Sequence, residues 1–361
     1  MRKPTHWRRR GLRVASGLGI VFFATASWAL LFATPLAAEP PLVPVVDLHV
    51  DLAYRSLYKK RPFAEGSGQF AASKLLRAGV RGVVLPLYVP LDAPAGRSPS
   101  ELERSYAHVF RSMLKTPPYA LPGCGVDRAG SEPRPLATWL AFEGAAAVGA
   151  DEEALRKWSL RGVRSFGLVH TQRNRLTGSS GPGPYENKKA PGLSDEGRRF
   201  VDLVHQVGGL VDVSHASDAA TNEAIAIAKR SGHAIIATHS NARALAPHPR
   251  NLTDDQIRGV AQTGGVIGVN FHQPYLASQV GGRANVQDLV RQIRHIESIG
   301  GIDAVAIGSD FEGGIQSVPE LSDAGAFQRL AAFLRQDGMN EAQLAKVFSG
   351  NALRVLCPSQ K

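Results

Sequence analysis

Three ionisable side chains interrupt an apolar run at every second position in VVDLHVDLAYR, residues 45–55: Asp47, His49 and Asp51. Residues two apart in a strand share a face, so an extended reading sets all three on one side. Unpaired buried charge is costly, and that face must therefore meet a cation, a hydrogen-bond network or solvent. Groups of the same kind end other apolar runs: Glu143 in LAFEGA, His170 in GLVHTQRN, His215 in VDVSHASD, His239 in IIATHSNARAL and Asp310 in AIGSDFEGG. Imidazoles and carboxylates ligate divalent metals, and a carboxylate beside a metal can move protons.

Each of these residues has an ordinary reading when taken singly. A strand-end histidine such as His215 or His239 can be a hydrogen-bonded structural residue, Glu143 can cap a helix, and Asp310 can form an Asx turn. Asp47 reads as structural or as a support behind the ligands. Among the eleven histidines, His6, His108, His205, His233, His248, His272 and His295 lie outside these runs and keep the ordinary reading.

The elements that must position these groups alternate regularly past residue 40. Apolar strand-like runs fall near 43–50, 80–86, 138–142, 163–169, 209–214, 234–238, 265–271 and 303–308. Amphipathic segments such as SDEGRRFVDLVHQVG and VQDLVRQIRHIESIG separate most of them. Strands apolar on both faces and alternating with helices imply a parallel sheet, and eight such units predict a (β/α)8 barrel. A doubly wound open sheet is the alternative. In a closed barrel every strand ends on one rim, so the chemistry-bearing groups converge on one mouth.

Converged, they exceed the needs of one ion. Three imidazoles and two carboxylates suit two divalent ions roughly 3.5–4 Å apart, each with about two terminal ligands and one shared carboxylate. His49 and Asp51 would serve one ion, His215 and His239 the other, and Glu143 the bridge. Nitrogen and oxygen donors without thiolates favour zinc and admit manganese or cobalt.

Charge and cysteine usage narrow the setting. The formal net charge is +11, but residues 1–38 hold Arg2, Lys3, Arg8, Arg9, Arg10 and Arg13 and no acid, leaving 36 basic against 31 acidic residues elsewhere. No basic cluster interleaved with aromatics remains to bind nucleic acid. The basic head precedes the uncharged run Val14–Ala38 and a Pro-rich junction, which predicts an export signal or N-terminal membrane anchor over 1–38 and a single catalytic domain over 39–361. ATA at 24–26 and SWA at 27–29 offer cleavage sites, and Arg9-Arg10 faintly resembles a twin-arginine signal. A periplasmic, secreted or membrane-anchored protein is expected. Cys124 and Cys357 leave one long-range disulfide open and no thiolate metal site.

DLHVDLAYR, FEGA, VDVSHASD, ATHSNARALAPHPRNLTDD, GGVIGVNF, AIGSDFEGG and SGNALRVL, in this order, resemble the membrane dipeptidase (renal dipeptidase) family of zinc peptidases from about residue 43 to 357. The resemblance implies a TIM barrel of the metal-dependent amidohydrolase type, two zinc ions and a dipeptide substrate, and leaves room for a homodimer. By position it implies His49, Asp51 and Glu143 on one metal and Glu143, His215 and His239 on the other. It also implies His170 as a substrate-binding histidine, Arg250 as the grip on the dipeptide carboxylate, and Asp310 as the acid/base. GSSGPG, at 178–183, is expected to form a mobile lid. The competing classes are a binuclear barrel hydrolase of lactones, amides or phosphoesters, and a binding protein on an inactive barrel.

Overall fold

The computed structural model describes residues 41–358 apart from 64–67, 76, 94–95, 117–118, 122, 125–135 and 182–189. The expected export segment lies outside the described residues, as does the end of the expected lid from Pro182 onward. Leu42–Lys361 form one compact unit. Among the described residues no helix is long and apolar enough to cross a membrane.

All eight expected strands are present: β1 (Val45–Asp47), β2 (Val80–Tyr88), β4 (Leu136–Glu143), β5 (Val163–Gly167), β6 (Leu210–Asp212), β7 (Ile235–Ile236), β8 (Ile267–Val269) and β9 (Val305–Ile307). A ninth, β3 (Tyr119–Ala120), pairs with the start of β4 and is too short to leave a pattern in sequence. Around the sheet the order is β7-β6-β5-β4-β2-β1-β9-β8, parallel throughout. A parallel bridge between Ala237 and Ile267 joins its two ends, which rules out the open doubly wound sheet. Closure there depends on glycine. A Cβ on Gly268 would lie 2.0 Å from the Thr238 carbonyl oxygen, and one on Gly308 would lie 1.8 Å from the same atom.

β1 and β6 are shorter than their apolar runs because carboxylates end them. Asp47 Oδ1 accepts the His49 N–H at 3.1 Å, and Asp212 Oδ1 accepts the Ser214 N–H at 2.9 Å. Each is an Asx turn that takes the chain out of the ladder. The expectation that Asp47, His49 and Asp51 share one extended face is therefore corrected: the strand stops at Asp47.

Four of the outer helices begin where the sequence offers an acceptor. Ser194 and Ser217 accept the N–H of Gly197 and Ala220, starting Asp195–Gln206 and Asp218–Ser231. Reciprocal capping boxes, Thr253 with Gln256 and Asn285 with Asp288, start Asp254–Gln262 and Val286–Gly300. The apolar faces of these helices cover the outside of the barrel.

Inside, Val46, Leu48, Val84, Trp139, Ile236 and Ala306 form a cluster with Ala352, Val355 and Leu356 of the C-terminal helix Asn351–Leu356. That helix plugs the floor, opposite the rim. Directly after it Cys357 is bonded to Cys124, closing a loop across 233 residues. Opening this bridge by reductant, or by Cys357→Ser, is expected to destabilise the fold by about 2–5 kcal/mol. Urea unfolding with and without reductant measures it, and equal midpoints would show that the bridge contributes nothing.

Candidate active site

Most of the rim residues stand at one offset from the strand ends. His170, His215, His239 and Asp310 each lie three residues past β5, β6, β7 and β9, His49 lies two past β1, and Glu143 is the last residue of β4. Two brackets set the offset. Asp47 accepts the N–H and the hydroxyl of Ser309, tying the end of β1 to that of β9. Asp212 accepts the N–H of Thr238 at 3.0 Å and its hydroxyl, tying β6 to β7.

The expected donors meet. Glu143 Oε1 lies 3.0 Å from Nε2 of His215, 3.5 Å from that of His239 and 3.6 Å from those of His49 and His170. His49 Nε2 is also 3.6 Å from Asp51 Oδ2, and the Nε2 atoms of His215 and His239 face each other at 2.9 Å. Three metal-competent trios result: His49, Glu143 and His239; Glu143, His170 and His215; His49, Asp51 and Asp310. His170 and Asp310, for which the sequence suggested other roles, thus stand within reach of the same centre.

Backbone strain holds two of these residues. His215 and Asp310 have φ of 68° and 64°, a region that non-glycine residues enter rarely and keep only when their surroundings fix them. The His215 carbonyl accepts the Ser180 N–H at 2.8 Å, the Asp310 N–H donates to the His49 carbonyl at 3.1 Å, and Asn270 Nδ2 donates to Asp310 Oδ2 at 2.9 Å.

The electrostatics call for a cation. Burial, opposed by His49 and reinforced by Asp51 and Asp310, pushes Glu143 up to about 8. Burial and the charge of Asp51 push Asp310 up to about 7. Burial alone would lower His49, but Asp51 and Glu143 outweigh it and raise this imidazole to about 10. Burial holds His215 and His239 well below the usual histidine range, neutral and with a lone pair available. Carboxylates that attract protons beside imidazoles that refuse them form a donor set for a divalent metal, and its nitrogen and oxygen composition fits zinc, manganese or cobalt.

Above the donors opens a cavity of about 210 Å³, walled by Asp51, Tyr88, Glu143, His170, Tyr275 and Asp310 among others. Arg250 does not line it. That residue is buried, donates from Nη2 to the His239 carbonyl at 3.1 Å, and lies 5.5 Å from the Tyr275 ring centroid. Its Nε has no hydrogen-bond partner among the described residues. Two histidines read as ordinary serve this region: His248 Nδ1 accepts the Arg250 N–H at 3.1 Å, and His272 lies on the cavity wall. Sequence reasoning gave no role to Tyr88, Tyr275, Asn270 or Thr238. Only the last two carried a signal, inside the quoted stretches GGVIGVNF and ATHSNARAL.

A closed parallel barrel with buried nitrogen and oxygen donors on its carboxyl rim is the architecture of a metal-dependent hydrolase. The chain belongs to the membrane dipeptidase family, peptidase family M19, whose model matches residues 40–361, and it is a peptide-bond hydrolase. It is 27% identical over 391 residues to dipeptidase aclJ of Aspergillus oryzae, covering 98% of this chain and 90% of that one. It is 38% identical over 232 residues to an uncharacterized protein of Klebsiella pneumoniae, covering 62% and 83%. A crystal structure of a metallo peptidase from Rhodobacter sphaeroides, liganded with a phosphinate mimic of the dipeptide L-Ala-D-Ala, superposes with a TM-score of 0.76 at 25% identity, over 88% of this chain and 99% of that one.

The convergence on Glu143 predicts that Glu143→Gln lowers the metal content of purified protein more than the loss of any one imidazole. Elemental analysis checks this, and a parental metal content in the Glu143→Gln protein would remove the residue from the ligand set.

Proposed function

We propose that this enzyme is a binuclear zinc dipeptidase that reads the free C-terminal carboxylate of its substrate and accepts D-residues at that position. The observation that carries the reading is the single carboxylate oxygen of Glu143 facing four imidazole nitrogens, with Asp51 and Asp310 alongside. His49, Asp51, Glu143, His215 and His239 would hold the ions. When bound, such a pair acidifies water to near neutral pH and polarises the scissile carbonyl. The cavity is smaller than the roughly 300–1,000 Å³ of drug-sized ligand sites, which suits a substrate of very few residues. The dipeptide mimic bound by the Rhodobacter relative supports the D-residue assignment.

This chain's residues supply the rest. Asp310, on the cavity wall and fixed by Asn270, takes the proton of the attacking water and returns it to the leaving amine. His170 is pushed down to about 3 by burial and then by the charge of Arg250, so it stays neutral and donates one N–H to the developing oxyanion. Arg250, with Nε unused, attracts the substrate carboxylate to the Tyr275 side of the cavity. A tripeptide sets its carboxylate one residue further from the Arg250 charge.

Arg250→Ala is expected to raise KM by an amount worth roughly 2–5 kcal/mol, and dipeptide amides are expected to be poor substrates of the parent. Asp310→Asn is expected to depress kcat with metal retained. Equal rates on a dipeptide and its C-terminal amide would show that the carboxylate is not read. Export by residues 1–38 completes the proposal, supported by the basic-then-apolar pattern and by a disulfide suited to an oxidising compartment. Fractionation of expressing cells is expected to find the protein outside the cytosol, and a purely cytosolic chain with its N-terminus intact would refute this.

A further inference from the structure

We propose that Thr238 is a positioning residue whose one hydroxyl sets the tautomers of His49 and His239 together, presenting both Nε2 lone pairs to metal. The proposal rests on the metal-binding reading of the site and concerns how the chain prepares it.

A hydroxyl has one proton to donate and two lone pairs to accept with. Thr238 Oγ1 meets three partners: Asp212 Oδ2, His239 Nδ1 at 2.9 Å and His49 Nδ1 at 3.3 Å. A carboxylate oxygen offers only lone pairs, so the single proton goes to Asp212. Both imidazoles must then donate, and each carries its hydrogen on Nδ1. That leaves Nε2 of His239 and of His49 bare, facing Glu143 Oε1 at 3.5 and 3.6 Å.

Thr238 is unusually well fixed for this task. It is fully buried, its N–H donates to Asp212 Oδ1, and its carbonyl is enclosed by Gly268 and Gly308. Asp212 is fixed in turn, because its Oδ1 also accepts the Ser214 N–H. The other bracket provides the contrast. Ser309 donates to Asp47 in the same way, yet its oxygen accepts the Phe311 N–H at 3.2 Å, a purely structural partner. Of two similar brackets, only the Thr238 one directs its acceptor side to metal-ligating imidazoles. Partners behind a ligating histidine fix its orientation and tautomer, and their loss typically lowers metal affinity about 10–100-fold.

The test is zinc affinity of the full chain, stripped of metal and titrated in competition with a chromophoric chelator, with thermal melting of the metal-free protein as the folding check. Thr238→Val keeps shape and removes the hydroxyl. It is expected to bind zinc about 10–100-fold more weakly, and Thr238→Ser to restore affinity to within a few fold of the parent. A folded Thr238→Val protein with parental affinity would overturn the assignment, as would a lowered melting temperature with affinity unchanged. If Thr238→Val does not fold, Asp212→Asn replaces it. The two backbone N–H groups on Oδ1 keep the amide oxygen there, so the new NH2 faces Thr238 and turns the hydroxyl proton toward an imidazole. Weaker zinc binding is expected again, and parental affinity would overturn the proposal. A parent that binds no zinc would refute the metal reading itself and this assignment with it.

Discussion

At the mouth of the barrel, more lone pairs are buried in one place than protons can satisfy. Glu143 Oε1 is ringed by four imidazole nitrogens, two of which face each other at 2.9 Å, with Asp51 and Asp310 at the edge. In water such a group would spread apart; in an interior it persists only if the scaffold holds it and a cation balances it. The shifted proton affinities express the same demand: Glu143, Asp310 and His49 are drawn toward their protonated forms while His215 and His239 are driven to the neutral one. The remainder of the rim is arranged to keep this group from relaxing.

The means is a pair of strand-ending aspartates. Asp47 and Asp212 each accept the N–H two residues on, then the N–H and the hydroxyl of a residue at the end of the neighbouring strand. One residue type therefore ends a strand, turns the chain toward the mouth and fastens two strand ends together. His215 and Asp310 take positive φ just beyond such brackets, a conformation that costs of order 1–3 kcal/mol and needs surroundings that over-determine it.

The sequence reveals the barrel because parallel strands covered on both faces read as continuous apolar runs, and β4, buried along all eight residues, is the plainest case. The donors are legible because an ionisable residue at the end of such a run is conspicuous. Strand ends are not, since whether Leu48 or Val213 stays in the ladder is decided by a carboxylate hydrogen bond competing with it. Tyr88 and Tyr275 reach the cavity through long-range packing that no local pattern encodes. The same holds for Cys124 and Cys357, whose pairing depends on where the C-terminal helix docks. Arg250 was legible only through resemblance, and its actual place, buried against Tyr275, depends on contacts with His239 and His248 that spacing alone does not predict.

Rim and floor divide the work of the fold. The rim concentrates strained backbone, buried charge and a cavity, each of which lowers stability. The floor is mainly apolar packing: Trp139, Ile236 and Ala306 pack on the C-terminal helix, and Cys357 fastens that helix to Cys124 beside the Trp139 indole. A cross-link there restrains the unfolded chain over 233 residues without entering the mouth. Had the bridge been on the rim, its geometric demands would compete with those of the ligands, and thiols would stand among donors chosen for nitrogen and oxygen. Stabilisation from the end that does no chemistry lets the other end keep an arrangement that the chain alone would not tolerate.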